Sequence, residues 1–594
     1  MRSDGLRKLA KVKLSRSESG AHHVFSTYGQ SIDVKISRTD LPSKRGFPYV
    51  SFVNWLRYLV EYDQLEHLVG VKDLGEMNKI LLTFWDKFSK IHTEHVISTK
   101  DTAFRKMCIP VLLHGDEGRG LKKKQLMVLA THGILGKGCS HSTNDVGGEA
   151  LRLNMVGNTW LNHFLQCVLP ISLYNETPEA FFPMLDLQAK EYKQLFEEGL
   201  VVQGRRYYVC CVGVKGDAPF ISKSGKFERA FTRRPTRASS KKAADGICHL
   251  CLAGKENYDF PVPFEEYGVQ RPAWLWTVGS VCPYSEPSPL LQIPFEIGGT
   301  TEALWCFDLF HNFHSGLGKY FASSAVCICL ELVQLSIDDA FNFITADFNS
   351  YCRRNKESPY HKKLTKALFG VEQGFQDCPD GGWSKGDFTR LVLKWFGDYT
   401  SRHVLGKTND QLYLKCVSLA LCILWYSFVL VGVGILNMGI SISKFACFPT
   451  AAFPVRLKQP WRSTSAWEGS TVRVFSSQQP VARQGLQFLR CYAWLARESY
   501  ERQMKRFPFA PKGHYLHHTF LELLHQSKRC DHCMNALCFS VQMQEDYIGR
   551  PSRLARRVSS RTTSLRVIQR TFLAVRNSLG AEIAQGWWSG LVVK

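Results

Sequence analysis

Two acidic residues directly after apolar stretches are the best candidates for chemistry. Asp116 follows the uncharged run Ile109–Leu113, and Asp217 follows the apolar run Tyr207–Val214. A carboxylate at a strand end beside glycines can reach a metal ion without steric hindrance. Two such carboxylates in one sheet can converge on a pair of divalent ions. The alternative for Asp116 is the polar turn of a surface hairpin.

The surrounding sequence predicts the elements that position these carboxylates. Ile109–Gly138 reads as a strand, a glycine-containing turn and a second strand, and Tyr207–Val214 reads as a buried strand. Apolar residues at helical spacing predict two helices within Trp55–His92 and a third over Pro178–Gly199, with Thr177 as its N-cap. This order of elements indicates an α/β protein.

A second kind of chemistry is indicated by cysteine and histidine pairs. Cys248 and Cys251 form a C-x-x-C, which is a weak signal alone, whereas His514 and His518 lie four residues apart and share one helix face. Together the four complete a tetrahedral zinc set. The competing ligands are His517 and the second pair Cys530 and Cys533, which we rank behind them.

Two further motifs lie outside these pairs. Asp308 precedes His311 by one helical turn, which also fits an ordinary helix N-terminus with an acidic cap. Glu545 and Asp546 precede an arginine-rich segment, a pattern that suits a metal site beside a phosphate backbone or a solvated helix of mixed charge. Its basic residues are Arg550, Arg553, Arg556 and Arg557, and a separate basic run is Lys122, Lys123 and Lys124.

Composition limits the function classes. The chain has 594 residues, 45% of them hydrophobic, which predicts two or three domains with sizeable cores and excludes general disorder. The net charge of +23 favours a polyanionic partner, either nucleic acid or an acidic membrane surface. The 20 cysteines are scattered, which favours reduced thiols and a zinc site over a disulfide framework.

The segment Cys416–Ser443 contains no charged residue and is long enough for a membrane span. Hydropathy predicts a transmembrane helix near 416–440. The alternatives are a buried helix in a large helical domain, or translated non-coding sequence that extends to about residue 480.

In order along the chain, these motifs resemble a DDE transposase of the CACTA-like and Plavaka-like group. The resemblance is carried by Asp116, by Asp217 in a G-D-x-P context, by the C-x-x-C, by Asp308 and His311, by the P-K-x-H-x-x-x-H at Pro511–His518, and by a late Glu. It spans about residues 105–557 as motif order and not as continuous similarity. More distant relatives of this group are Transib and the V(D)J recombinase catalytic subunit.

The resemblance implies an RNase H-like catalytic core interrupted by a large, mainly helical insertion. Asp116, Asp217 and Glu545 would bind catalytic Mg²⁺ or Mn²⁺, with Asp546 and Glu331 as rivals of Glu545 for the third position. Cys248, Cys251, His514 and His518 would bind Zn²⁺, and the partners would be double-stranded DNA, as transposon ends and target, and further copies of the chain. The implied location is the nucleus.

The predicted organisation follows from these assignments. It comprises a basic flexible N-terminal arm (1–46), a helical N-terminal region (47–100), the first part of the core (101–255), a helical insertion (256–500), a zinc and helix segment completing the core (501–575) and a tail (576–594). Two alternatives to a DNA-cleaving enzyme stay open. They are a single-pass membrane protein and a non-catalytic, transposon-derived DNA-binding protein.

Overall fold

The two strands predicted to position Asp116 and Asp217 belong to a five-stranded mixed sheet. Its strands are β3 (Cys108–Arg119), β4 (Gln125–Gly133), β5 (His163–Pro170), β6 (Leu200–Val202) and β7 (Arg205–Gly216), in the spatial order β5-β4-β3-β7-β6. β3, β4 and β5 form an antiparallel meander, β7 lies parallel to β3, and β6 pairs with β7 as an antiparallel edge. The predicted α/β class, hairpin and buried strand are therefore confirmed.

The structure, a computed structural model, describes most of the chain. The described residues are 3–42, 44–141, 151–175, 180–233, 245–256, 258–297, 299–404, 408–419 and 472–591. The proposed cap Thr177 lies outside these residues, and so does most of the apolar segment near 416–440. Among the residues that are described, no helix is both long and apolar enough to cross a membrane.

Helices cover the sheet and extend from it. The two helices predicted within Trp55–His92 are present as α3 (Phe52–Glu61) and α5 (Leu74–Ile91). The helix predicted over Pro178–Gly199 is α9 (Phe181–Glu197), and Gly199, with a φ of +71°, follows its end. The helices up to the insertion are α1 (Ser3–Ala10), α2 (Ser17–Thr27), α3 (Phe52–Glu61), α4 (Glu66–Val69), α5 (Leu74–Ile91), α6 (Thr102–Arg105), α7 (Thr159–Asn162), α8 (Ile171–Tyr174), α9 (Phe181–Glu197) and α10 (Ala218–Gly225).

Indole hydrogen bonds tie the N-terminal helices to the sheet. Trp55 of α3 donates through Nε1 to the carbonyl of Leu165, and Trp85 of α5 donates to the carbonyl of Cys108. Both indoles are fully buried in the main core. Their burial and their satisfied N–H groups together fix these helices on the sheet.

The described part of the segment predicted as a flexible arm is folded. It contains α1, α2 and a hairpin of β1 (Ser37–Leu41) and β2 (Lys44–Tyr49). Glu18 of α2 pairs with Arg566 and Arg570 of the C-terminal helix α20 (Thr563–Leu591). Helix α20 also runs through most of the predicted tail. The two terminal segments therefore pack together.

The described part of the region between β7 and the last helices is mainly helical. Its elements include a π-helical turn at Phe313–Leu317 and a short pairing of β8 (Phe475–Ser476) with β9 (Cys533–Met534). Its helices and those that follow are α11 (Leu309–Asn312), α12 (Gly318–Glu331), α13 (Ile337–Arg354), α14 (Lys366–Phe369), α15 (Gly386–His403), α16 (helical over 411–419), α17 (Gln479–Glu501), α18 (Pro511–Arg529) and α19 (Gln542–Ala555).

A partly buried glutamate on α9, Glu191, makes the stability of the fold sensitive to pH. Burial raises the pKa of Glu191 to about 7, against smaller opposing effects of hydrogen bonds from Ser51 and the N–H of Phe52. The folded protein therefore holds a proton that the unfolded chain releases near pH 4.5, so stability falls as the pH rises from 4.5 to about 7.

We expect Glu191→Gln to raise the thermal midpoint by at least about 2 °C at pH 8 and to leave it unchanged at pH 4. The amide still accepts from Phe52 but carries no buried charge. Thermal unfolding across pH 4–8 measures this, with the exposed Glu197→Gln on the same helix as control. An equal gain at pH 4 and pH 8 would contradict the assignment.

Candidate functional site

Asp116 and Asp217 follow corresponding positions of the two parallel strands β3 and β7. Gly115 of β3 is in register with Gly216 of β7, so each aspartate follows the last pair of the parallel ladder. The prediction that Asp116 sits at a strand end needs correction, because β3 continues to Arg119 as a partner of β4, and Asp116 is opposite Val128. It is the parallel pairing, and not the strand, that ends there.

Paired glycines let α10 pack under the two carboxylates. A Cβ atom on Gly115 would lie 2.1 Å from Cε2 of Phe220, and one on Gly216 would lie 2.4 Å from Cδ1 of the same ring. Asp217 is the N-cap of α10 and accepts a 2.8 Å hydrogen bond from the N–H of Phe220 through Oδ1. One carboxylate oxygen thus orients the side chain, and the other can bind a ligand.

The third acid, Glu545, comes from the first turn of α19, which packs on β3 just beyond Asp116. A Cβ on Gly118 would lie 2.0 Å from Oγ of Ser552, so a glycine is required for α19 to approach this closely. Oε1 of Glu545 lies 3.1 Å from Nε2 of His311. A residue more than three hundred positions downstream is thereby brought to the strand that carries Asp116.

His311 connects two carboxylates. Asp308 is the N-cap of α11, accepts from the N–H groups of Phe310 and His311, and lies 2.6 Å from Nδ1 of His311 through Oδ2. Its Oδ1 also accepts from the N–H of Val541, one residue before α19. The expected acidic helix cap is thus present, and it also orients the histidine that faces Glu545.

The electrostatics of the acidic site favour a cation. Burial, together with the charges of Asp217 and Glu545, raises the pKa of Asp116 well above its ordinary value. Burial also raises the pKa of Asp217. Burial lowers the pKa of His311, but its bonds to Asp308 and Glu545 outweigh this and raise the pKa to about 11. His311 is therefore a fixed positive charge, and it offsets only part of the negative charge.

The two rival third acids have other partners. Asp546 accepts a 2.8 Å hydrogen bond from Oγ1 of Thr159 and pairs with Arg550. Glu331, at the end of α12, pairs at 3.0 Å with the buried Arg506. Glu545, by contrast, contacts His311 at 3.1 Å, and its charge adds to burial in raising the pKa of Asp116.

Cys248, Cys251, His514 and His518 converge, as the sequence predicted. Their ligand atoms lie within 4.8 Å of one another, and all four residues are buried or nearly so; they are the one such group of three or more in the described part of the chain. The S···N distances are 3.3 Å from Cys251 to His514, 3.4 Å from Cys251 to His518 and 3.6 Å from Cys248 to His518. A tetrahedral zinc with ordinary bond lengths requires about 3.5 Å. The group could therefore hold a metal such as zinc.

The competing candidate ligands His517, Cys530 and Cys533 contact backbone carbonyls outside the Cys₂His₂ group. Nε2 of His517 contacts the carbonyl of Val269 at 2.8 Å. Cys530 donates to the carbonyl of Lys90, and Cys533 donates to that of Leu523. These contacts leave neither cysteine pointing at the histidine pair.

Hydrogen bonds to backbone groups connect the loop of Cys248 and Cys251 to the segment that precedes Asp308 and His311. His249, between the two cysteines, contacts the carbonyl of Trp305 through Nε2 at 3.0 Å, and the N–H of Cys306 donates to the carbonyl of Val214 in β7. The segment that leads into Asp308 and His311 is thus held between the zinc loop and the sheet. This places α11 relative to the carboxylates.

The predicted basic residues lie beside α19. Lys122, Lys123 and Lys124 are exposed in the turn between β3 and β4, and Arg556 donates through Nε to the carbonyl of Arg119 at the start of that turn. Arg550 is partly buried and bonds to Asp546 and Asn158. The two basic segments therefore form one exposed surface, which also contains Arg553 and Arg557.

Sequence reasoning missed Lys215 and Gln544. Lys215 is 1% exposed, and Gln544 precedes Glu545 directly and is also 1% exposed. The available signal was a lysine at the end of the otherwise apolar run Tyr207–Val214. A buried lysine requires polar partners, but the sequence does not say which.

The fold and the site define a mixed α/β protein with a five-stranded sheet, many helices and a buried Cys₂His₂ group that could hold a metal. Compared with known proteins, the chain matches no protein-family model and no curated protein sequence. A functional assignment therefore depends on the geometry of the site.

Proposed function

We propose that this protein is a DDE transposase-like enzyme that cleaves and transfers DNA strands with divalent metal ions. The observation that carries the proposal is that Asp116 and Asp217 each follow the last residue pair of the parallel ladder between β3 and β7, while α19, which carries Glu545, packs on β3. Besides burial, the charge of Glu545 raises the pKa of both aspartates. The central β3, with an antiparallel hairpin on one side and a parallel strand on the other, supports an RNase H-like core.

The donor set fits hard cations. Three carboxylates that repel one another favour Mg²⁺ or Mn²⁺ and leave positions for phosphate oxygens and water. When bound, such ions activate a water or a 3′-hydroxyl and stabilise the leaving oxygen. Asp217 is oriented by its cap bond to Phe220, and Glu545 is oriented by His311. Among the described residues, the group of three or more metal-competent ligand atoms that lie within 4.8 Å of one another is Cys248, Cys251, His514 and His518, and it does not include the three carboxylates.

Double-stranded DNA is the partner that best fits the basic surface. Lys122–Lys124 and the end of α19 face solvent on the same side of β3 as Glu545. Repeated exposed lysines and arginines suit contacts to phosphates. As further parts of the proposal, transposon ends and target DNA are the substrates, the active form is a homo-oligomer, and the protein acts in the nucleus.

The test is cleavage by the purified full-length protein of DNA that carries the terminal repeats flanking its gene. We expect nicking or double-strand cleavage that requires Mg²⁺ or Mn²⁺ and is abolished by EDTA. Sequence-independent DNA binding without any cleavage would instead favour the non-catalytic DNA-binding alternative.

The salt dependence of DNA binding tests the basic surface. Arg553, Arg556 and Arg557 are exposed, and we expect their triple replacement by Gln to weaken binding to all sequences alike. The slope of log affinity against log salt should fall by about 0.9 for each phosphate that the variant no longer neutralises. Fluorescence anisotropy at several salt concentrations measures the slope.

Arg566 and Arg570 provide the matched control. They follow the basic residues of α19 in the sequence, but they pair with Glu18. Their replacement by Gln should leave the slope unchanged. An unchanged slope in the triple variant would exclude this surface as the DNA-binding site.

A further inference from the structure

The segment that returns the chain from the insertion to the core is fixed by a buried lysine. Nζ of Lys215 in β7 donates to the carbonyls of Cys538 and Ser540, both at 3.3 Å, and lies 3.4 Å from Nδ1 of His132. Lys215 is fully enclosed. These two carbonyls belong to the four residues immediately before α19.

Gln544 extends this contact into the first turn of α19. With its side-chain oxygen facing the sheet, Gln544 accepts from Nζ of Lys215 at 2.9 Å and from Nε2 of His163 at 3.1 Å, and its amide nitrogen donates to Ser540 at 3.1 Å. Tyr547, one turn further along, stacks on His163 with ring centroids 4.6 Å apart. The inner face of α19 is therefore bonded to β5 and β7.

The same segment is held from its other side. The N–H of Val541 donates to Asp308, the residue that also orients His311. The Lys215 amine thus donates to the carbonyls of the segment, and the Asp308 carboxylate accepts from the N–H at its end. Both groups are buried, so neither bond can be replaced by water without opening the core.

We propose that Lys215 is a positioning residue, which holds Glu545 over Asp116 and Asp217 by binding the Cys538–Ser540 carbonyls and Gln544. The inference rests on the proposed function of the acidic site. The bonds of Lys215 are to the entry of α19 and not to the three carboxylates, so it acts through that entry. Lys215 lies in β7 two residues before Asp217, and it binds the segment that leads to Glu545. It therefore connects Asp217 and Glu545 in one rigid unit.

The experiment compares Lys215→Met with Arg506→Met in the full-length protein. Arg506 is a similarly buried cation that binds the carbonyls of Phe375 and Asp377 and pairs with Glu331, remote from the three acids. Both variants lose a buried nitrogen donor and its hydrogen bonds, so both should be less stable to heat. Two readouts separate them: amide hydrogen exchange of residues 536–550, and Mn²⁺ binding measured by electron paramagnetic resonance without DNA.

We expect Lys215→Met to speed exchange in residues 536–550 and to weaken Mn²⁺ binding by about 10-fold or more, and Arg506→Met to change neither. If Lys215→Met fails to fold, Gln544→Met, which removes one acceptor and keeps the ammonium, should shift both readouts in the same direction. Equal effects of the two cation variants, or unchanged exchange in Lys215→Met, would overturn the proposal. Absence of Mn²⁺ binding by the unaltered protein would refute the proposed function instead, and exchange alone would then decide whether Lys215 fixes the segment.

Discussion

Asp217→Asn is expected to lower DNA cleavage by at least about 10³-fold while DNA affinity stays within about 2-fold of the original value. The substitution removes a negative charge from the proposed metal site. It preserves the local fold, because asparagine caps a helix as well as aspartate and can still accept from the N–H of Phe220. Single-turnover cleavage and anisotropy binding on the same DNA measure the two quantities.

Asp546→Asn is the matched control for this prediction. Asp546 is the neighbour of Glu545 on α19, but it is held by Thr159 and Arg550. We expect cleavage by this variant to remain within about 10-fold of the original rate, the change being that of a surface ion pair and hydrogen bond. Parallel loss of cleavage and of DNA binding in Asp217→Asn would indicate a structural role for Asp217 and would contradict the catalytic assignment.

Removal of zinc is the second change with a large expected effect. The proposed ligands tie Cys248 and Cys251, near the start of the insertion, to His514 and His518 of α18, near its end. Structural zinc contributes on the order of 10 kcal/mol to the folding of small zinc domains. We therefore expect one zinc per chain, and a fall in the thermal midpoint of more than about 10 °C after chelation or in Cys251→Ser.

Metal analysis and thermal unfolding of the purified protein check this expectation. Cys533→Ser is the control, because Cys533 belongs to the other C-x-x-C and donates to a backbone carbonyl. It should retain a full equivalent of zinc. Zinc content that is unchanged in Cys251→Ser would remove the site, and loss in Cys533→Ser alone would transfer it to the second pair.

Loss of zinc should also affect the acidic site. His249 contacts the carbonyl of Trp305, and the N–H of the next residue, Cys306, donates to a carbonyl of β7. Asp308 and His311 follow shortly afterwards in the sequence. A disordered zinc loop would therefore release one of the two supports of α11. The expected result is that chelation of zinc weakens Mn²⁺ binding, which distinguishes a linked arrangement from two independent metal sites.

The local elements of this protein could be predicted because they depend on neighbours in sequence. A short uncharged run bounded by a glycine-containing turn, such as Ile109–Leu113, favours a buried strand, and the spacing of apolar residues in 55–92 and 178–199 favours helices whatever lies around them. The four proposed zinc ligands could also be predicted from the sequence, since tetrahedral coordination needs a small, recognisable set of residue types at short spacings.

Only the tertiary structure decided how distant groups meet. The choice of Glu545 over Asp546 depends on which side of α19 faces His311, and two adjacent carboxylates look alike in a sequence. The role of Lys215 depends on carbonyls more than three hundred residues away. The folded N-terminal segment likewise depends on Glu18 meeting Arg566 and Arg570. Such contacts arise from packing and register, for which local propensity carries no information.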